Sequence, residues 1–317
     1  MPTAPTRKIR SVAVFHDHDM PIAVMRMTNH ADASLHSHDF HELVLITGGA
    51  GRHITARGAY PLKAGDVFLI RGSTRHGYAE TERLDLVNIL FNPRQARLPL
   101  TELDLGAVPG YHALFKIEPH MRQAGRGGLR LGLNAAQLEQ AVAIVGELDA
   151  ELLARRPGGR FMACGHLMRL IGFLSRCYSA LQEPRATPVL GISRALSHIE
   201  EHYAEPLTVA RLARVAGMSK STFMRRFRDA VGRSPVDTLI HARIARACER
   251  LRLDDDLKLA AIADACGFAD ANYFSRLFHR VMGCTPRAYR TLQTVPGRRS
   301  GGQRDVEDKW RFTPTRG

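Results

Sequence analysis

The sequence predicts a multidomain α+β protein. It has a β-barrel or sandwich in its first third, a helical segment in the middle and an all-α unit with two helix-turn-helix motifs towards its C-terminal end. Three observations carry that prediction. Residues 22–92 alternate short β-prone runs with turns, the apolar period changes to three or four from Asn134, and a pattern at 212–235 recurs about fifty residues later.

The chain is 317 residues long, enough for two separate cores, and its 44% apolar and 24% charged content is that of an ordinary globular protein. No run approaches the ~18 uncharged apolar residues of a membrane span. The N-terminal stretch MPTAPTRKIRSVAVFHDHDM lacks the apolar core of a secretory signal, so a cytoplasmic protein without a membrane partner is expected. The net charge of +14 favours a polyanionic partner, nucleic acid first and an acidic membrane second. Five widely spaced cysteines without a CxxC pair (Cys164, Cys177, Cys248, Cys266 and Cys284) read as reduced thiols on helices, not as a zinc site or a disulfide framework.

The strands are read at IAVMRM, ELVLIT, GRHITA, DVFLI and LDLVNILF, punctuated by Gly48-Gly49, Gly58, Gly65 and Gly72. ALFKIEP, flanked by His112 and His120, reads as a connector. The next helix places Leu138, Val142, Val145, Leu148 and Leu152 at helical spacing until Pro157-Gly158-Gly159 ends it, and RFMACGHLMRLIGFLSRCYSAL forms a second. QEPRATP, residues 182–188, reads as a linker. Helices continue from Val189 to about Leu292, and the polar, glycine-rich tail 293–317 is expected to be disordered.

Within the helical half, Ala213 and Gly217 recur as Ala263 and Gly267, 50 residues on. Phe223, Arg225, Phe227, Gly232 and Pro235 recur as Phe274, Arg276, Phe278, Gly283 and Pro286, 51 residues on. The second copy therefore carries one extra residue in or just after its turn, where insertion costs least. In the first copy Gly217 ends a helix in the left-handed conformation and Ser219 caps the next. Phe223, Phe227 and Val231 form that helix's buried stripe. Ser234-Pro235 and Thr285-Pro286 open the following helices. This is helix-turn-helix grammar, and two copies are too few for a solenoid. Opposite the aromatic stripe lie Ser221, Met224, Arg225 and Arg228, and in the second copy Asn272, Ser275, Arg276 and His279. Arg and Asn pair bidentately with guanine and adenine edges. Residues 236–253 read as a rigid helical connector of roughly 27 Å, suited to holding two reading heads near successive major grooves.

Residues 189–292, and GFADANYFSRLFHRVMGCTPRAYR above all, resemble the paired helix-turn-helix domain of the AraC/XylS family of bacterial transcription regulators. The resemblance implies binding to direct-repeat half-sites of double-stranded DNA, RNA polymerase as a partner, and usually activation. By position it assigns base contacts to Ser221, Met224, Arg225 and Arg228, and to Asn272, Ser275 and Arg276. Met224 stands where many members carry a polar residue.

LHSHDFHELVLITGG spaces His36, His38 and Glu42 as H-x-H-x3-E, and AGDVFLIRGSTRHGY puts His76 after a turn. His36 and His38 share one strand face, and His41 alternates away from Glu42. Together these stretches resemble the two motifs of the cupin barrel, whose metal-dependent members bind a metal through these ligand types. The resemblance makes His36, His38, Glu42 and His76 the ligand set if a divalent metal is held. The second motif departs from the cupin pattern: Arg71 replaces proline, Ser73 glycine and Glu80 asparagine. Arg52, His53, Arg57, Arg71 and Arg75 add hydrogen-bond donors, which suits a polyhydroxylated or anionic ligand held without metal. The stretch is most similar to the sensors of the L-rhamnose regulators and their sugar-responsive relatives, which perform no reaction. His16, His18, His112, His120, His166, His198, His202 and His241 are assigned no role, the last four being read as single histidines on helices.

The combined expectation is a cupin-like effector-sensing domain with an N-terminal arm (1–130), a helical dimerisation segment (131–181), a linker (182–188), an AraC-type DNA-binding domain (189–292) and a disordered tail (293–317). It would act as a homodimer and activate a carbohydrate-utilisation operon. A sugar-like effector would bind at His36, His38, Glu42, Arg71 and His76, with no catalytic residues and no obligatory cofactor. Two alternatives stay open at this level: a metal-binding cupin enzyme fused to a DNA-binding domain, and a constitutive DNA-binding protein whose barrel only dimerises.

Overall fold

The computed structural model describes residues 7–15, 20–93, 95–96, 104–125, 130–181, 186–253 and 257–294. The expectations for His16, His18 and most of the N-terminal arm fall outside them. Contacts divide the chain into two units, Met1–Ser193 and Arg194–Gly317.

In the first unit β1 (Arg7–Ile9), β2 (Ile22–His30), β3 (Ala33–His38), β4 (His41–Thr55), β5 (Gly58–Lys63), β6 (Asp66–Ile70), β7 (His76–Phe91) and β8 (Leu131–Gly132) form one sheet of order β1-β3-β7-β4-β6-β8, with β2 on β7 and β5 on β4. The β-rich architecture matches expectation, but the strand count does not. ELVLIT and GRHITA are one strand, β4, and LDLVNILF is only the second half of β7. Gly48-Gly49, read as a turn, is a bulged stretch, with register shifts at Ile46/Gly48, Gly48/Ala50 and Ala50/Arg52 against β7. Glycine is needed there because Gly49 sits at φ +70°, and a Cβ on it would come within 2.0 Å of the Arg83 carbonyl. The bulges bend β4, so that its two halves pair with different parts of β7.

Period-2 alternation then builds the core. Val44 and Ile46 of β4, Phe68 and Ile70 of β6, and Leu84 and Leu86 of β7 pack in one buried cluster. Glu42 lies on the same face of β4 as Val44 and Ile46, so it is carried into the interior. The opposite face is also buried, with Leu43, Leu45, Val67 and Ile89 fully covered.

The segment read as a connector is helical. It comprises α1 (Pro109–Tyr111), a π-helical turn over His112–Ile117 and α2 (Glu118–Gln123), and it buries His112, Leu114, Phe115, Ile117 and Arg122. Its wide turn has no 3.6-residue period to betray it. α3 (Ala135–Ala154) starts at Asn134, whose side chain accepts from the Gln137 N–H (2.9 Å) while Gln137 returns the bond to the Asn134 N–H. Its buried stripe is Ala141, Ile144, Val145, Leu148 and Glu151. Leu138, Val142 and Leu152 are therefore at the edge of the stripe, not at its centre. α4 (Gly159–Ser179) packs on α3 and α1, and α3 reaches β2, where Arg26 pairs with Asp149 at 3.2 Å.

α5 (Ala186–Glu201) spans the boundary between the units. It begins inside the segment read as a linker, so 186–188 are helical and 182–185 lie outside the described residues. The second unit continues with α6 (Val209–Val215), α7 (Lys220–Val231), α8 (Pro235–Leu253), α9 (Leu259–Ala265), α10 (Ala271–Met282) and α11 (Pro286–Thr294). α11 carries the ordered helix two residues into the stretch read as tail; 295–317 lie outside the described residues. Phe223, Phe227 and Val231 are buried as expected. Ile262, Cys266, Phe274, Leu277 and Phe278 pack against Ile244, Ala247 and Leu251 of α8. Cys177, Cys248 and Cys266 are buried thiols, and Cys164 and Cys284 are half-buried. Among the described residues no helix is long and apolar enough to cross a membrane.

Candidate DNA-binding face and effector-binding cluster

Both helix-turn-helix copies are built by local caps. Gly217 (φ +68°) lets the chain leave α6, and the Met218 N–H closes the turn on the Ala213 carbonyl at 2.9 Å. Ser219 Oγ then accepts from the Thr222 N–H and starts α7. In the second copy Gly267 (φ +80°) has the same task, but the cap is Asp270, one residue later than the first copy's spacing, and it accepts from the Asn272 and Tyr273 N–H groups at 3.0 and 2.9 Å. The extra residue thus lies between Gly267 and Asp270, inside the turn. Ser234 and Thr285 cap α8 and α11, accepting from the Asp237 and Ala288 N–H groups.

These caps orient the outward faces. Ser221, Arg225 and Arg228 are exposed, Met224 is half-buried, and all four line one open hollow with Asp229. On α10, Asn272 and Arg276 are exposed. Ser275 is half-buried, and its hydroxyl donates back to the Ala271 carbonyl at 2.9 Å, so it offers less to a base edge than its position implied. Tyr273, not singled out by the sequence pattern, is 46% exposed with the Arg276 guanidinium 5.9 Å from its ring centroid. An exposed aromatic next to a buried stripe was the available signal. α8, 19 residues long, spans roughly 28 Å between the copies.

In the first unit, strand register gathers the histidines. His36 on β3 lies directly opposite His76 on β7, and His76 is also opposite Thr55 on β4. His53, two residues from Thr55 on the same face, joins them, with its ring centroid 5.9 Å from that of His76. His38, Glu42 and His76 are buried, and their ligand atoms lie within 4.8 Å of one another. His36 is half-buried with Nδ1 3.1 Å from the Ser34 carbonyl, and it stays outside that group although its ring is 4.3 Å from His76. His41 turns away to pack on Phe91, as alternation predicted. Of the additional donors, His53 and Arg71 reach the interior, whereas Arg57 and Arg75 are exposed and Arg52 pairs with Glu80 at 3.7 Å.

One ring nitrogen of each imidazole is anchored on the backbone. His38 Nδ1 donates to the Phe40 carbonyl at 2.7 Å and His76 Nδ1 to the Thr74 carbonyl at 3.0 Å, because a carbonyl only accepts. Both Nε2 atoms then face Glu42 Oε2, at 2.9 and 3.5 Å, and that of His76 is buried without a hydrogen-bond partner. Burial alone would raise the Glu42 pKa, but its contacts with His38 and His76 outweigh that and hold it below the usual carboxylate range. Two Nε2 atoms and one carboxylate converging on a point, with each Nδ1 anchored on a backbone carbonyl, fit a divalent cation such as Zn, Fe, Mn or Ni. Burial, with the charge of Arg122 adding to it, keeps the His53 pKa well below normal, so this imidazole is neutral.

Next to this cluster, His53, Arg71, Thr74 and Arg122 line a cavity of about 10 Å³, room for a single water. The helical run after Val108 closes it. Arg71 donates to the Phe115 carbonyl at 2.6 Å, Arg122 to the Leu69 carbonyl at 3.0 Å, and Gln123 to Thr74 Oγ1 at 2.6 Å. Ser73 and Glu80, which depart from the cupin pattern at glycine and asparagine positions, still adopt the left-handed backbone, at φ +70° and +51°.

The helical histidines are not isolated, contrary to their sequence reading. The rings of His198 and His202 are 4.2 Å apart, His202 Nδ1 lies 2.7 Å from Glu205, and Glu201 brings a carboxylate within 4.8 Å. His166 pairs with Glu147 at 3.3 Å, and His241 Nδ1 donates to the Asp237 carbonyl.

Comparison with known proteins adds the lineage. Residues 25–113 match the AraC-like ligand binding domain and residues 212–291 the Helix-turn-helix domain, together more than half of the chain. The HTH-type transcriptional activator RhaR of Escherichia coli O1:K1 / APEC is 29% identical over 260 residues, covering 82% of this chain and 87% of that protein. The Escherichia coli (strain K12) protein of the same name is 28% identical over the same length. The DNA-binding domain of AdpA, a global transcriptional factor solved in complex with a target DNA, is 33% identical and aligns with 32% of this chain and 91% of its own, with a TM-score of 0.31. These relatives are regulators rather than enzymes. A cupin-like ligand-binding unit ahead of a paired helix-turn-helix unit, with this kinship, places the chain in the AraC family of DNA-binding transcription regulators.

Proposed function

We propose that the chain activates transcription of a carbohydrate-utilisation operon in response to a small sugar-like effector held by its first unit. The observation that carries this reading is the buried convergence of His38, Glu42 and His76, with His36 and Arg71 at its margin, in the same chain as two solvent-facing recognition helices. Such a cluster is costly to bury and contributes nothing to DNA contact, so binding a ligand is the use that offsets its cost. The likeness to RhaR, an HTH-type transcriptional activator, supports the sign of regulation.

Base contacts are assigned to Ser221, Met224, Arg225 and Arg228 and to Asn272 and Arg276, with Ser275 secondary, on direct-repeat half-sites, and RNA polymerase is the downstream partner. α3 and α4 supply the homodimer seam. Leu153, Phe161 and Met162 are large apolar side chains left exposed where α3 ends and α4 begins, which supports that role. The sensing domain spans 1–130, and the DNA-binding domain runs to 292 from a helix that starts at Ala186.

In the present arrangement the cavity cannot admit a monosaccharide. Effector entry therefore displaces the helical run 109–123, and ligand binding shifts the population between closed and open sensor states. A divalent cation, where bound, would be held by His38, Glu42 and His76 and would supply a Lewis-acidic anchor for effector hydroxyls. His36 is the reserve ligand across the strand pair.

A thermal-shift scan of the full chain with monosaccharides, with and without prior chelation, tests the sensing half. A ligand at ~100 times its dissociation constant stabilises the folded state by about 2.7 kcal/mol. A shift that survives chelation makes the cluster a hydrogen-bonding site, and one that a single metal restores makes it a coordination site. An effector response left intact by His38→Ala and His76→Ala removes these residues from the site.

A further inference from the structure

The cavity beside the histidine cluster has a charge imbalance that specifies more about the ligand than its hydroxyl count. Its lining includes two arginines, Arg71 and Arg122, and no acidic residue. Glu42 is committed on the other side to His38 and His76. Arg122 is buried, lies over the Phe68 ring at 5.1 Å and spends Nη1 on the Leu69 carbonyl. Its nearest carboxylate, Glu118, stands at 3.9 Å, beyond hydrogen-bond distance. That carboxyl accepts the Tyr178 hydroxyl at 2.7 Å, and burial pushes its pKa up to about 8, so at neutral pH it is mostly protonated. Arg130 does not relieve the excess, since it is itself a cation, 3.5 Å from Asp66. A buried guanidinium whose nearest carboxylate stands 3.9 Å away without a hydrogen bond to it is incompletely compensated, and an incoming anion corrects that. Two further features aim at such a ligand. His53 Nε2 is buried without a hydrogen-bond partner, and Thr74, whose hydroxyl accepts from Gln123 at 2.6 Å, lines the same space.

We propose that the effector carries a carboxylate, seated between Arg71 and Arg122 with His53 Nε2 as a further donor, while its hydroxyl-bearing part reaches His38, Glu42 and His76. This rests on the reading that the first unit binds a sugar-like effector, and it narrows that class to sugar acids. A guanidinium fork matches a carboxylate with two parallel hydrogen bonds, which a neutral hydroxyl cannot reproduce. Arg71 couples recognition to opening. The same guanidinium that would grip the ligand now donates to the Phe115 carbonyl, so taking the anion competes with the clip that holds the helical run down.

The test uses calorimetry and thermal shift on the full chain with matched pairs: D-galacturonate and D-galactose, D-glucuronate and D-glucose, with glucose 6-phosphate as the phosphate arm. The expected result is that at least one uronate binds roughly tenfold or more tightly than its neutral partner. Arg71→Gln then lowers the acid-over-neutral affinity ratio by a similar factor, and Arg71→Lys restores part of that ratio. Stronger binding of glucose 6-phosphate than of both uronates replaces carboxylate by phosphate and overturns the class. A neutral sugar that binds as well as its acid, or an acid-over-neutral ratio indifferent to Arg71→Gln, overturns the inference while the sensing reading stands. Binding of no member, acid or neutral, overturns both.

Discussion

The two units dispose of their polar side chains in opposite ways. The first buries His38, Glu42, His53, His76, Glu118 and Arg122. The second keeps Arg225, Arg228, Asn272 and Arg276 outside cores made of Phe223, Phe227, Phe274 and Phe278. The consequence is a division of labour. In the second unit recognition and stability reside on opposite helix faces, so either can change without the other. In the first unit the groups proposed to meet a ligand are also the groups whose desolvation the fold must offset, which would make binding and stability one equilibrium. That linkage is what a sensor needs and what a DNA-reading head must avoid.

The largest expected contrast comes from deleting one charge on each side. Glu42→Ala should destabilise the first unit by about 3 kcal/mol in denaturant unfolding, because it leaves His38 and His76 facing an empty buried position. A loss under about 1 kcal/mol would break the comparison. Next in size is a pH effect. Glu118 has a folded pKa of about 8 against an ordinary value of 4.5, so the native state holds a proton that the unfolded chain releases. The contribution of Glu118 to stability is therefore fully present below about pH 4.5 and is lost as pH rises to about 8, by a few kcal/mol over that span. Glu118→Gln should flatten the fall in melting temperature between pH 5 and 8, while an unchanged slope assigns it to other groups. On the second unit Arg276→Ala should weaken a cognate DNA site by about 1–3 kcal/mol in fluorescence anisotropy and relax specificity at one base, with the melting temperature unmoved. A uniform loss on every sequence would make it a phosphate contact instead. The smallest effect tests a backbone detail. Ser73→Gly relieves a left-handed φ of +70° and should raise the first unit's stability by about 1 kcal/mol at most.

The helix-turn-helix pair was legible in detail, because Gly217, Ser219, Pro235 and the Phe223/Phe227 stripe act within a few residues of themselves. The H-x-H-x3-E spacing located His38 and Glu42, two of the three members of the buried His38, Glu42 and His76 group, for a related reason, since period 2 determines which side chains share a strand face. What spacing could not place depended on partners distant in the chain. His53 reaches the cluster because the bulged register of β4 sets it opposite Tyr78, and Arg122 because α2 packs on the Phe68 ring. Ser275 was read as a base contact, but its hydroxyl is turned back to Ala271, a choice of rotamer that spacing does not report.

By itself, then, the sequence determined the β-rich and helical units, both turns of the DNA-reading half, and the residue types at the heart of the sensor. Those features follow from hydrogen bonds and periodicities confined to one turn or one strand. Only the tertiary structure decided that the presumed connector is a buried helical run over the barrel, that His36 stands outside the tight group, and that Arg71 and Arg122 share a cavity with no acidic residue in its lining. Desolvation and charge pairing depend on which groups the fold brings within a few ångströms, and residues 53, 71 and 122 meet only after the sheet has bent and the helix has closed on it.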